Sequence, residues 1–94
     1  MSKPTALIRA ESLKKHIQHL GAPPEEFFVP VTLEEGWELV RWYRQQLKQQ
    51  SVGEDEMNLR LLDQDIAVAQ RKGNPFSVLE HFSLAGLRIE PKLH

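Results

Sequence analysis

Histidine side chains are the first candidates for catalysis or metal binding in this sequence. His16 and His19 are three positions apart on a predicted helix. Helical zinc pairs are more often four positions apart and are completed by a third ligand from elsewhere. His81 and His94 lie far from this pair along the chain. We therefore expect no metal site and predict that these histidines are exposed on polar surfaces.

The acidic and hydroxyl side chains also lack a catalytic arrangement. Asp63 and Asp65 are two positions apart on a predicted helix, so they point about 200° apart and cannot share a proton or an ion. The serines have no spacing that suggests a triad, and the sequence contains no nucleophile elbow, phosphate loop, dinucleotide fingerprint or HExxH pattern. We predict that the protein is not an enzyme and needs no cofactor.

Composition excludes further classes of chemistry. The 94 residues include no cysteine, which rules out disulfides, thiolate nucleophiles and sulfur-ligated zinc. The formal net charge is −1, so there is no overall basic excess to attract nucleic acid or anionic lipid. No run of apolar residues has the length of a secretory signal or a membrane span. These features predict one domain over residues 1–94, a cytoplasmic location and no membrane association.

The first half of the chain reads as two helices joined by an extended connector. Apolar residues recur at helical spacing over residues 6–20, and Gly21 follows as a C-terminal cap. Residues 22–31 contain three prolines and are predicted to be extended. Thr32 and Glu35 have the spacing of a capping box, which predicts the start of helix two.

Helix two is predicted to continue to about Ser51 with apolar residues on more than one side. One face carries Leu33, Trp37, Val40, Tyr43 and Leu47, and a different side carries Leu39 and Trp42. A helix of this kind is either central in its fold or covered by a partner. Burying all these side chains within so short a chain is difficult, which favours a partner protein or a homodimer.

The second half is predicted to form two more helices and a tail. Helix three begins near the acidic residues 54–56, presents a stripe made by Leu59, Leu62, Ile66 and Ala69, and ends at Gly73. Asn74 and Pro75 open a short helix four that runs to residues 85–86, and residues 87–94 form an extended arm that packs on the helices or adds to a partner. The predicted fold is therefore all-α: a small bundle of four helices, three long and one short, with a proline-rich extended connector and an extended C-terminal arm.

A helix-turn-helix spacing lies across the third and fourth predicted helices. In such modules a small residue precedes the turn glycine by four positions, and apolar residues follow it by about six and nine. Ala69, Gly73, Leu79 and Phe82 occupy these positions, so residues 65–82 resemble the helix-turn-helix pattern. The resemblance implies a regulator that places its fourth helix in the major groove of DNA.

The residues available for DNA contact under this hypothesis, within residues 65–84, are Arg71, Lys72, Ser77 and His81. The recognition helix itself would contain no arginine or lysine and would carry Glu80. Because affinity depends on neutralising phosphates and guanine is usually read by arginine, this helix is poorly equipped for DNA. We therefore keep DNA binding as the alternative and favour plain packing of two helices.

Aromatic residues beside arginines are the feature that points most directly to a function. The candidate partner-binding residues are Phe27, Phe28, Arg41, Trp42, Tyr43 and Arg44. Tyrosine, tryptophan and arginine are enriched at protein interfaces because they bury a large area at a small loss of entropy. The competing interpretation is that Trp37 and Tyr43 belong to the core, with Trp42 and the Phe27-Phe28 pair equally compatible with either place. The sequence predicts a non-catalytic adaptor or regulatory protein that binds another protein or itself.

Overall fold

The computed structural model describes residues 3–23, 26–50, 55–80 and 82–92. This part of the chain is mostly helical, with 68% helix in four helices, and it also contains a small two-stranded sheet. The elements are α1 (Thr5–Leu20), β1 (Phe28–Val31), α2 (Leu33–Gln50), α3 (Asp55–Lys72), α4 (Phe76–Leu79) and β2 (Arg88–Pro91). The prediction of a purely all-α fold is wrong, because the connector and the C-terminal arm pair with each other as strands.

Helix α1 follows the predicted amphipathic pattern as far as Ile17, whereas Leu20, at the end of the predicted stripe, is exposed. Ala6, Ala10 and Ile17 are fully or almost fully buried and lie on the inner side of the helix. The helix ends at Gly21, whose φ of 76° is left-handed and whose amide N–H bonds to the carbonyl oxygen of Gln18. Glycine adopts this backbone conformation without steric cost, so the predicted cap is confirmed.

The proline-rich connector continues into strand β1, which pairs in parallel with β2. The register aligns Phe28 with Arg88 and continues to Val31 opposite Pro91. Val29 is completely buried, as is Val31, whereas Phe28 remains 46% exposed. Alternation of this kind is what a strand with one face on the core requires. The predicted extended conformation is therefore confirmed for residues 28–31 of the connector and 88–91 of the arm, and these two segments pack against each other. Residues 24–25 and 93–94 lie outside the described residues.

Proline limits the outer edge of each strand. The amide N–H of Lys92 donates to the carbonyl oxygen of Val31 at 2.8 Å, so alternate residues of each strand face the pairing and the others face outward. Pro30 is outward on β1, and its carbonyl oxygen accepts a 2.8 Å hydrogen bond from Arg9 Nη1. Pro91 is outward on β2. Since proline has no amide hydrogen, neither edge offers a complete set of groups to a further strand.

Helix α2 begins at the predicted capping box. The Thr32 Oγ1 accepts from the Glu35 amide N–H at 3.2 Å, and Glu35 Oε1 accepts from the Thr32 amide N–H at 3.0 Å. The Glu35 carboxylate also forms an ion pair with Arg9 of α1. These contacts join the first turn of α2 to α1 and, through the Arg9 bond to Pro30, to β1.

The buried side of α2 differs in part from the predicted face. Leu39 and Val40 are almost completely buried, whereas Leu33, predicted on the same face as Val40, is exposed. Trp37 is partly buried and packs against the core. Gly36 lies against α4, where an added Cβ would come within 2.8 Å of Pro75 Cγ. The absence of a side chain at position 36 lets the two segments approach this closely.

Helix α3 buries the predicted stripe. Leu62 and Ala69 are buried, and Ile66 is partly buried against the same core. The helix gives way to Gly73, which has a φ of 66° and serves as the predicted C-terminal cap. In contrast, Met57 of the same helix is well exposed.

Helix four is much shorter than predicted, since α4 ends at Leu79 rather than at residues 85–86. The chain then turns through Ala85 and Gly86, which both have positive φ, and Leu84 forms an antiparallel bridge with Leu87. On a continued helix Leu84 and Leu87 would point to the side opposite Val78. Leaving the helix allows all three side chains to be buried together, so tertiary packing overrides the local periodicity.

The core lies where α1, α2 and the segment after α3 meet the buried face of β1. Its largest fully buried side chains belong to Ile17, Val29, Val31, Leu39, Pro75, Leu79, Leu84 and Leu87. Within the described ranges, no helix combines the length and the apolar character that crossing a bilayer requires.

Candidate functional site

Three aromatic rings from two parts of the chain pack together on one side of α2. Trp42 meets Tyr43 edge to face, with ring centroids 5.1 Å apart. Tyr43 stacks on Phe82, with centroids 4.4 Å apart and ring planes 18° apart. The Tyr43 hydroxyl donates a 3.2 Å hydrogen bond to the Ser83 carbonyl oxygen. The segment after α4 thus holds these rings in fixed positions against α2.

The three rings line an apolar groove of about 330 Å³ between α2 and α3. Its remaining lining residues are Gln46, Leu47 and Leu62. A recess of about 220 Å³ adjoins the groove, because Leu47, Leu62 and Phe82 line both. Leu61, Asn58, Asp65 and Val78 complete that recess. The groove is mainly apolar with a few polar groups at its edge, as is common for protein binding sites.

Phe82 also connects the groove to Phe28. A cavity of about 370 Å³ on the side of β1 and β2 is lined by Phe28, Leu79, Glu80, Phe82, Ser83, Arg88 and Ile89. The ring of Phe82 therefore lies between this cavity and the groove. We call the set Phe28, Trp42, Tyr43 and Phe82 the aromatic surface. It brings together Phe28, Trp42 and Tyr43 of the predicted binding residues, while Phe27 is partly buried against the core.

The two predicted arginines have different surroundings. Arg44 pairs with Asp63 of α3, with Nε 2.6 Å from Oδ1 and Nη2 3.4 Å from Oδ2. This pair links α2 to α3. Arg41 is exposed and lines a cavity of about 410 Å³ with Trp42, Glu38 and Lys3. Arg41 is thus placed at the rim of the aromatic surface, whereas Arg44 is held by an acidic residue of its own chain.

Burial affects the ionisation of Tyr43. Its ring is enclosed by Trp42 and Phe82, and the removal of water raises the pKa of the Tyr43 hydroxyl above its ordinary value of 10.0. The hydroxyl therefore stays protonated at neutral pH and acts as a hydrogen-bond donor to Ser83. Among the residues that the structure describes, those that line the groove include no acid or base.

The structure places three of the four residues of the DNA-binding alternative, with Arg71 and Lys72 on α3 and Ser77 on α4. Arg71 and Lys72 are exposed at the end of α3. The Ser77 hydroxyl donates to the Asn74 carbonyl oxygen at 3.1 Å, and His81 lies outside the described residues. Helix α4 is a single turn whose Val78 side chain is buried, so it is too short to present a row of side chains to base edges.

No group of metal ligands forms among the residues that the structure describes: three His, Asp or Glu side chains do not converge anywhere in them. His16 and His19 are both exposed on α1. The prediction that these histidines occupy a polar face is confirmed for this pair.

Phe82 is the member of the aromatic surface that sequence reasoning missed. Helical periodicity predicts it as an inner residue of a longer helix four, but it follows α4 and lines three adjoining cavities. Leu61 is a second addition, because it borders the recess and is 52% exposed. The sequence feature that could have identified Leu61 is that it lies outside the stripe formed by Leu62 and Ala69.

Comparisons with protein-family models, with curated proteins and with solved structures gave no match for this chain.

Proposed function

We propose that this protein is a non-catalytic adaptor or regulatory protein that acts by binding another protein, or a second copy of itself, through the aromatic surface. The observation that carries the proposal is the stacking of Tyr43 on Phe82. The Phe82 ring lines both the apolar groove beside Trp42 and the neighbouring cavity beside Phe28. The apolar lining favours an apolar side chain as the group that enters.

Preorganisation supports this function. Tyr43 and Phe82 restrain each other, and the Ser83 carbonyl oxygen fixes the Tyr43 hydroxyl. A partner that docks on rings already held in place loses less conformational entropy than one that must order them. Aromatic residues of this kind usually dominate the binding energy of an interface, and single truncations commonly cost about 2 kcal/mol or more.

The polar rim supplies specificity. Arg41 is exposed next to Trp42, and Asp65 lies at the opposite end of the groove system beside Leu61. A partner segment with an acidic residue near Arg41 and a basic residue near Asp65 would be oriented by both. Rim charges act mainly on association rate and orientation, so the rings remain the principal source of affinity.

The test is a double variant, Trp42→Ala with Phe28→Ala, compared with the wild-type protein. Immobilised wild type should retain a protein from an extract of the source cells, or should show a dimer mass by light scattering, and the double variant should lose that association at least tenfold. Leu20→Ala is the matched control, since Leu20 is exposed but lines none of these cavities. Circular dichroism checks that all three proteins keep the same helical content.

Unchanged association in the double variant would exclude the aromatic surface as the binding site. A mobility shift on mixed-sequence DNA at low ionic strength would instead favour the DNA-binding alternative, because non-specific phosphate contacts appear first under those conditions. Loss of association in Leu20→Ala as well would show a general loss of folding and would count against the assignment.

A further inference from the structure

Strand β2 has an outer edge that no other strand covers within the described part of the chain. The sheet has two strands, and the bond from the Lys92 amide N–H to the Val31 carbonyl oxygen fixes which residues of β2 face β1. Ile89 and Pro91 are the residues of β2 that present their main-chain groups outward. Among the described residues, none bonds to the N–H or to the C=O of Ile89.

Ile89 is the one position between Leu87 and Pro91 that offers both groups on this edge. Two residues earlier, the N–H and the C=O of Leu87 are both bonded to Leu84. Two residues later, Pro91 has no N–H. Two antiparallel strands pair most closely where opposed residues exchange both of their main-chain bonds. The edge therefore accepts one such exchange, centred on Ile89, and the groups on either side do not allow a second.

The side chains on either side of Ile89 carry opposite charges. Arg88 precedes it and Glu90 follows it, and both are exposed. Neither forms an ion pair among the described residues. When two copies of β2 lie antiparallel with Ile89 opposite Ile89, Arg88 of each copy lies opposite Glu90 of the other, which stabilises a strand pair. A parallel pair would place like charges side by side and repel.

The apolar side of the edge also fits a second Ile89. Ile89 is in register with the buried Val29, so its side chain lies on the core face of the sheet. The crevice beside it has a volume of about 200 Å³ and is lined by Phe76, Leu79, Glu80, Ile89 and Pro91. Side chains directly opposite each other lie on the same face, with Cβ atoms about 5 Å apart. The isoleucine of the second copy would therefore pack at the mouth of this crevice.

We infer that two copies of this chain associate edge to edge through β2, antiparallel about a two-fold axis that passes between the two Ile89 residues. Their two-stranded sheets join into one continuous sheet. Each copy offers the donor, the acceptor and the charges that the other needs, as a two-fold interface requires. An unrelated strand would have to carry the same order of a basic, an apolar and an acidic residue. Because the interface is small, we expect a dissociation constant on the order of 0.1–1 mM.

The edge borders the aromatic surface but does not use its rings. Arg88 and Ile89 line the cavity beside Phe28, whereas neither lines the groove between α2 and α3. The inference goes beyond the proposed function, because it does not depend on Trp42 or Tyr43. The two also fail in different experiments, since so weak a dimer should not form at the low concentrations at which a partner protein is captured.

The first test measures the mass of the full chain by sedimentation equilibrium up to about 1 mM. Wild type should reach an average mass at least about 1.5 times that of the monomer. Glu90→Arg and Arg88→Glu each place like charges opposite one another and should raise the dissociation constant at least about fivefold. Combining them restores opposite charges and should recover the dimer. Arg60→Glu, on α3 outside the sheet, is the matched control and should leave the mass unchanged.

The second test locates the contact by hydrogen exchange of the Ile89 amide. This N–H is unbonded in the monomer and bonded in the dimer, so its exchange should slow about twofold or more between about 0.05 and about 1 mM. The Lys92 amide, which is bonded to Val31 within each copy, is the internal reference. Ile89→Pro removes the N–H at an outward position and should abolish the dimer, whereas Ile89→Val keeps the N–H and should retain it.

Three results overturn the inference. They are a wild-type monomer at about 1 mM, an Ile89 amide whose exchange does not depend on concentration, and a double charge variant that dimerises no better than the single variants. Circular dichroism checks the folding of each variant. If Trp42→Ala abolished the dimer while Ile89→Pro did not, the second copy would be docking on the aromatic surface and the inference would be wrong.

Discussion

Tyr43 and Phe82 lie face to face with ring centroids 4.4 Å apart, although one belongs to α2 and the other follows α4. Their contact is the point at which the C-terminal part of the chain is attached to the middle of α2. It also determines the shape of the groove, because both rings line it. The same pair of side chains therefore connects two parts of the fold and forms part of the surface that we propose as the binding site.

Tyr43 should make stability fall at alkaline pH. Burial raises the folded-state pKa above 10.0, so the folded protein holds the hydroxyl proton more tightly than the unfolded chain does. Stability is therefore unaffected below about pH 10 and decreases as the pH rises beyond it. Tyr43 is the only tyrosine in the sequence, so absorbance near 295 nm follows its ionisation alone.

Tyr43→Phe is the control for this prediction. It should remove the alkaline loss and lower the free energy of unfolding by only about 0.5–1.5 kcal/mol, because a single hydrogen bond to Ser83 is lost. Tyr43→Ala should cost more, since it also removes the stacking on Phe82. A tyrosine titration centred at or below pH 10.0 would contradict the structure.

Glu35 should make stability fall at acidic pH. The pKa of the Glu35 carboxyl is lowered from 4.5 to about 2, and the largest cause is the hydrogen bond that Arg9 donates to it. The lowered pKa gives stability that is fully present above about pH 4.5 and is lost as the pH falls towards about 2. Urea unfolding from about pH 7 to about pH 2 should show the wild-type midpoint decreasing below about pH 4.5.

Glu35→Gln should flatten that acid dependence while reducing stability at neutral pH, because glutamine keeps the shape of the capping box without the charge. Glu11→Gln serves as the comparison, since Glu11 pairs with Lys3 in an exposed contact. Such exposed pairs contribute little, so its acid profile should match that of wild type. An unchanged profile in Glu35→Gln would contradict the role assigned to Arg9.

Gly36→Ala should destabilise the protein although alanine favours helices. The added Cβ would lie 2.8 Å from Pro75 Cγ, closer than van der Waals contact allows. We expect a net loss of up to about 2 kcal/mol, because an overpacking cost of about 1–3 kcal/mol exceeds the gain of about 1 kcal/mol in helix propensity. Thermal unfolding measures the change. Adding Pro75→Ala, which removes the Cγ atom, should recover part of the loss relative to the two single variants, and strict additivity would argue against the contact.

Ala85→Gly should stabilise the turn between Leu84 and Leu87. Ala85 has a φ of 53°, which costs a residue with a Cβ about 1 kcal/mol, whereas glycine adopts it freely. The greater entropy of unfolded glycine offsets part of this, so a gain of about 0.5 kcal/mol is expected. Gly86→Ala, at a φ of 86°, should have the opposite sign in the same denaturation experiment. A loss of stability in Ala85→Gly would show that the turn is not strained.

Local signals in the sequence were sufficient for the helix starts and ends that depend on neighbouring residues. The capping box at Thr32 and the glycine caps at Gly21 and Gly73 are local chemistry, and all three are present. The extended conformation of residues 28–31 was predicted from the prolines of the connector, which likewise act on their nearest neighbours. Such signals act between residues that are close in sequence, so they do not depend on the tertiary structure.

Long-range contacts decided the features that the sequence did not predict. Nothing near Phe28 identifies Arg88 as its partner in the sheet, and nothing near Phe82 identifies Tyr43. Helix four illustrates the same limit, because the burial of Leu84 and Leu87 overrides a periodicity that continues past Leu79. The prediction of Trp42, Tyr43 and Phe28 as one binding region depended on composition, and Phe82, which joins them, could be placed only in three dimensions.

The parallel pairing of β1 with β2 has a consequence for biosynthesis. The ribosome makes β1 early, but the hydrogen-bonding partner of Val31 is not available until Lys92 has emerged. Until then Val29 and Val31 have no sheet to join, because β1 pairs only with β2 within the described residues. The sheet of this chain should therefore form only after translation has passed its last strand, whereas the Arg9–Glu35 ion pair between α1 and α2 needs no later residue.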